Sequence, residues 1–200
     1  INMETHESDP PDVPARPVAL FGVHPCDLHG LFRLDLAMRE IPADAPYERA
    51  RQGALVVGLA CVSKCRPEAF CDSVDTFRPS GRFDLNLTPI DGGYWAEVGS
   101  AAGERLVEIS GLFDSPAPGH REKYEASLRE IHKTFSERRL NLEDLQGNLE
   151  EMQRDSWWEE LARRCFSCGA CTAVCPTCVC FDVRDDLREG CRIADRCRRW

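Results

Sequence analysis

Between Cys165 and Pro176 the chain reads CFSCGACTAVCP, which places four cysteines in the spacing CxxCxxCxxxCP. Few short patterns restrict a backbone as tightly. Two intervening residues let successive thiolates turn around one face of a small iron-sulfur cube while backbone N–H groups point at the sulfurs, and Gly169 lets the main chain approach closely. Cys165, Cys168 and Cys171 therefore read as ligands of a [4Fe-4S] cluster. Cys175 also reads as a ligand, but in two-cluster proteins of this spacing the fourth cysteine serves the other cluster, so its assignment stays open. Cys178 and Cys180 add two thiols just downstream and are further candidate cofactor ligands. Cys191 and Cys197 lie outside any CxxCxxC core and read as buried thiols. Zinc competes for such a set, because CxxC pairs also build tetrahedral zinc sites. Those sites commonly join two separated CxxC knuckles, which this run does not resemble.

Eight of the twelve cysteines fall in the last 36 of 200 residues. A secreted disulfide scaffold would need a secretory signal and would rarely repeat CxxC, so a reducing, cytoplasmic location and metal-holding thiolates are expected. No apolar run reaches eighteen residues, and the N-terminus carries acids and prolines, so neither a membrane insertion nor a signal peptide is expected. The chain opens on Ile1 and ends on Trp200 in a dense Cys/Arg segment; truncation at both ends is expected. A net charge of −9 argues against nucleic acid as a partner. The charge is uneven: residues 161–200 hold eight arginines against five acids, whereas 1–160 hold 17 Lys/Arg against 29 Asp/Glu. Cations near a thiolate cluster offset its negative charge.

An apolar fraction of 42% is enough for a real core. Four prolines among acids make 1–17 an extended linker. Val18 to Val23 (VALFGV) is an apolar run that suits a buried strand, and Asp27 to Glu40 suits a helix with Asp27 as its acidic N-cap. Ala54 to Ala60 (ALVVGLA) reads as a second buried strand, parallel to the first. The alternation in FDLNLTPI, YWAEV and RLVEI, broken at Asp91-Gly92-Gly93 and Ala102-Gly103, predicts an antiparallel meander. Residues 120–150 read as one long or two shorter amphipathic helices, and Asp155 to Arg164 as a short helix delivering Cys165. The expectation is an α+β chain. A mixed α/β domain with a small sheet spans 18–119, a helical bridge 120–160, and a ferredoxin-like iron-sulfur segment 161–200.

Cys26 falls in the loop after the first strand, and Cys61, Cys65 and Cys71 in the loop after the second, so all four are candidate ligands of a further metal or cluster. Buried thiols packing as small hydrophobes are the plain alternative. His24 could line that site. His6, His29, His120 and His132 show no ligand spacing. Trp157 and Trp158 suit either cluster shielding or helix packing. No phosphate loop, GxGxxG or Ser/His/Asp order is present.

Phe21 to Leu28 (FGVHPCDL), Asp44 to Gln52 (DAPYERARQ), Cys61, Phe70-Cys71 and CFSCGACTAVCPTCVCFDV together resemble the iron-sulfur beta subunit of cytosolic sulfhydrogenases. The iron-sulfur, electron-transfer subunit of anaerobic sulfite reductase is similar. The resemblance implies an electron wire without substrate chemistry of its own. Such a chain exchanges electrons with a flavin-containing NAD(P)H subunit on one side. On the other side stands a nickel-iron hydrogenase pair or, alternatively, a sirohaem sulfite reductase. Two departures stand out. Ala69-Phe70-Cys71 stands where the family has Cys-Phe-Cys, with Cys65 appearing upstream, and the family's second CxxCxxCxxxCP is not in this sequence. The reading from a different class is a zinc-bound structural or interaction module.

Overall fold

The computed structural model describes residues 17–40, 44–179, 182–187 and 194–199. Nearly all of the expected linker lies outside this set, as do Cys180 and Cys191. The chain begins with strand β1, Val18–Val23, and turns through His24 into helix α1, Pro25–Arg39. Pro25 occupies the first helical turn, where its missing N–H is not needed and its fixed φ suits the helix. His24, not Asp27, is the N-cap residue, and no side chain caps this end; Asp27 sits in the first turn. Helix α2, Ala45–Gln52, follows, capped by Asp44, whose carboxylate accepts from the Tyr47 N–H at 2.9 Å.

Strand β2, Ala54–Leu59, runs parallel to β1 with Val18 opposite Ala54 and Leu20 opposite Val56. Strand β3, Leu85–Ile90, lies parallel to β2, and β4, Gly93–Val98, closes an antiparallel hairpin with β3. The sheet order is β1-β2-β3-β4. Val56 and Val57 are both buried, as are Leu85 and Asn86. Successive strand residues face opposite ways, so the two central strands are covered on both faces. At Gly58 α1 packs tightly on the sheet: an added Cβ would stand 2.8 Å from Asn86 Oδ1 and 3.1 Å from Leu28 Cδ1.

Two further expectations need correction. β1 is apolar but not buried; Phe21 is 76% exposed, because β1 is an edge strand with a neighbour on one side. RLVEI is not a strand but belongs to helix α3, Ala101–Ser110. The Ser100 hydroxyl accepts from the N–H groups of Ala102 and Gly103, and Gly111 ends the helix at φ 62°. Asp84 ties this corner together. Its carboxylate accepts from Val56 N–H at 2.6 Å and from the Ser100 hydroxyl.

The 120–150 region forms two helices, α4, His120–Ser136, and α5, Leu145–Met152. α4 lies over the β3-β4 hairpin, with Tyr124 stacked on Trp95 at 4.9 Å, and its Ile131 and Phe135 join Phe77 in a small core. Helices α6, Trp157–Arg164, and α7, Ala170–Val174, lead through the cysteine run. Strands β5, Asp182–Leu187, and β6, Ala194–Arg199, form a separate antiparallel pair, for which the charged, non-alternating sequence gives no signal. The architecture is α+β with a small mixed sheet. Among the described residues no helix is long and apolar enough to cross a membrane.

Candidate iron-sulfur centre

α6 does deliver Cys165. Its first turn is opened by Asp155, whose carboxylate accepts from Trp157 N–H at 2.9 Å, and its last is closed by Cys165 N–H donating to Ala162 at 3.1 Å. Beyond it the backbone twice enters the left-handed region, at Ser167 (φ 55°) and Gly169 (φ 74°). Turns of this kind point successive N–H groups inward and build an anion-binding concavity. The Ser167 N–H donates to Cys165 Sγ at 3.4 Å. Cys168 precedes α7, Cys171 lies on it and Cys175 follows it in extended conformation. Cys165, Cys168 and Cys171 are all exposed.

Pro176 packs back onto the α/β domain. Gly30 of α1 faces it so closely that a Cβ there would meet Pro176 Cγ at 3.0 Å. Beside this contact lies a cavity of about 720 Å³, walled by Leu20, Leu31 and Leu34 on one side and Val174, Cys175 and Cys178 on the other. Cys175 and Cys178 are half-buried. The Thr177 side chain and backbone hydrogen bonds, followed by that of Cys178, lower the Cys175 thiol to about 7, so it carries thiolate near neutrality.

Cys26, Cys61, Cys65 and Cys71 gather near the ends of β1 and β2. Burial, then Cys26, Cys71, Cys65 and Asp27 nearby, push the Cys61 thiol up to about 11. Burial, then Asp27 and Cys71, also raise Cys26. His24 is exposed at the head of α1. His29 bonds the Arg78 carbonyl oxygen at 2.9 Å, and the His132 ring packs 5.8 Å from Phe77. Trp157 and Trp158 pack edge to face at 4.6 Å, with the Trp158 indole donating to the Met152 carbonyl. Cys197 lies in β6, where its backbone pairs with Arg184. Among the described residues, no three Cys, His, Asp or Glu side chains are already drawn together around a metal position.

The donor set still fits an iron-sulfur cluster: thiols only, two left-handed turns and an amide aimed at sulfur. The family model of the 4Fe-4S dicluster domain matches residues 164–200. The C-terminal segment is a 4Fe-4S dicluster domain. Over 167 residues, 83% of its length, the chain is 35% identical to Sulfhydrogenase 2 subunit beta of Pyrococcus furiosus. The chain belongs to the family of sulfhydrogenase iron-sulfur beta subunits, which bears out the resemblance, and it spans about half of that relative, 49%. No solved structure matches it. The Asp44 cap of α2 is legible in the sequence as Asp-Ala-Pro; the seat of Pro176 on Gly30 is not, since it joins residues 146 positions apart.

Proposed function

We propose that this chain is an electron-transfer subunit, with Cys165, Cys168, Cys171 and Cys175 holding [4Fe-4S] clusters and Cys178 and Cys180 as further thiols of that segment. The observation that carries the reading is the Ser167-Gly169 turn, with its amide on Cys165 sulfur, inside the segment matched to a dicluster domain. A bound [4Fe-4S] cluster supplies one-electron chemistry between two charge states. The protein's part is to hold the thiolates, direct amides at sulfur and set exposure, the levers that place a cluster's potential. Three exposed ligands put this site where a partner protein can approach, and electron tunnelling needs such approach more than it needs a substrate pocket.

The relative's name indicates a multisubunit hydrogenase. On that basis the electrons pass between a flavin subunit that handles NAD(P)H and a nickel-iron hydrogenase module, in the cytoplasm. Purification without oxygen, followed by iron, acid-labile sulfide and nickel analysis, tests both levels. Iron with sulfide is expected, and Cys168→Ser should abolish or convert one cluster's paramagnetic resonance signal in the reduced protein. Zinc without sulfide would sink the electron-transfer reading. Co-purifying nickel favours the hydrogenase partner, whereas sirohaem assigns the chain to a sulfite reductase.

A further inference from the structure

A second group of thiols lies outside the dicluster segment. Cys26 is the second residue of α1, just beyond β1, and Cys61 is the second residue beyond β2. Because β1 and β2 are parallel, with Val23 opposite Gly58, both cysteines emerge at the same end of the sheet, beyond the carboxyl ends of the two strands. The carboxyl ends of parallel strands are where open α/β sheets build ligand sites. The loop carrying Cys61, Cys65 and Cys71 is pinned from several sides. Cys61 and Cys71 pack on the Phe77, Ile131 and Phe135 core, Lys64 pairs with Glu137 at 2.9 Å, and Asp72 pairs with Arg139 at 2.9 Å. Cys26, Cys65 and Cys71 all lie within electrostatic reach of Cys61, and Cys71 within reach of Cys26.

We propose that Cys26, Cys61 and Cys71, with Cys65 as fourth ligand, form a thiolate metal centre from residues outside the dicluster segment, built for a soft ion of the zinc or iron class. Packing alone accounts for Cys61 and Cys71, which are half-buried against the core. It does not account for Cys26 and Cys65, which are exposed yet held beside them. All four are free thiols. Thiolate-only donor sets select zinc, iron or an iron-sulfur cluster over harder cations. That the sulfurs are not drawn onto one point is no objection, since Cys165, Cys168 and Cys171 are likewise apart within a dicluster domain. A cation here relieves the mutual repulsion of the thiolates and joins the head of α1 to the β2 loop.

The test silences the dicluster segment in the full chain with Cys165→Ser, Cys168→Ser, Cys171→Ser and Cys175→Ser. The protein is then loaded either with zinc alone or with ferrous iron and sulfide under argon. Retained metal is expected, and it should be lost when Cys61→Ser and Cys71→Ser are added. Retained zinc without sulfide identifies a single ion, and retained iron with sulfide a cluster; both support the centre. A readout that needs no variant runs alongside. In the unsubstituted chain, zinc should slow alkylation of the exposed Cys26 and Cys65, followed peptide by peptide, and a chelator should restore it. No metal on the silenced chain, together with unchanged alkylation, would overturn the proposal while leaving the electron-transfer role intact.

Discussion

Hydrogen bonds from Thr177 hold the Cys175 thiol down at about 7, while burial among other thiols holds Cys61 up at about 11. The same functional group is thus set to opposite behaviour by its surroundings, and only thiolates ligate metal or react with electrophiles. In metal-free, reduced protein, iodoacetamide should therefore modify Cys175 with a pH midpoint near 7, whereas Cys61 should stay unmodified until strongly alkaline pH. Thr177→Val removes the hydroxyl and should move the Cys175 midpoint upward, as read by mass spectrometry of the 165–178 peptide. Midpoints that coincide for the two thiols would contradict this account. The spacing of Cys165, Cys168, Cys171 and Cys175 is plain in the sequence because ligand geometry is local there. Which thiols are acidic is not, because that depends on Thr177 contacts and on core residues such as Phe77, Ile131 and Phe135.

At the scale of elements, β1, α1 and β2 are legible because each is set by its own residues: two short apolar runs and a helix opened by Pro25. α3 is the instructive failure. RLVEI alternates like a strand, yet the Ser100 cap and the left-handed Gly111 enclose it as a helix, and Gly103 reads as a turn only if its packing is unseen. That glycine is needed because any Cβ would collide with the Asp84 carbonyl. Gly103→Ala should accordingly destabilise the chain by about 1–3 kcal/mol, the usual range for overpacking, despite alanine's better helix propensity. Ser100→Ala should cost about 1 kcal/mol as a lost cap. Asp84 should add to that, since it loses its hydroxyl donor and keeps only Val56 N–H. Denaturant midpoints measure both, and a stabilised Gly103→Ala would show that α3 does not approach Asp84.

Across the whole molecule, the α/β domain and the cluster segment meet where Pro176 sits on Gly30 and where the cavity opens between α1 and residues 172–178. A glycine inside a helix costs about 1 kcal/mol against alanine. α1 keeps Gly30 at a position where a Cβ would stand 3.0 Å from Pro176 Cγ, so a larger side chain there crowds the contact. The seat also explains why Cys175 and Cys178 are half-buried while the three cysteines before them are exposed: one end of the motif is held against the sheet and the other faces outward. Gly30→Val should lift the segment off that seat without unfolding the sheet, since β1 through β4 pair with one another and not with the cluster segment. The expected signature is unchanged far-ultraviolet circular dichroism with faster amide hydrogen exchange over 172–178 and faster alkylation of Cys178. Iron bound as proposed through Cys165, Cys168 and Cys171 should persist, because those three cysteines are exposed ahead of the seat. If exchange and alkylation are unaltered, Pro176 is not seated on Gly30, and the α/β domain exerts no hold on the geometry of the cluster segment.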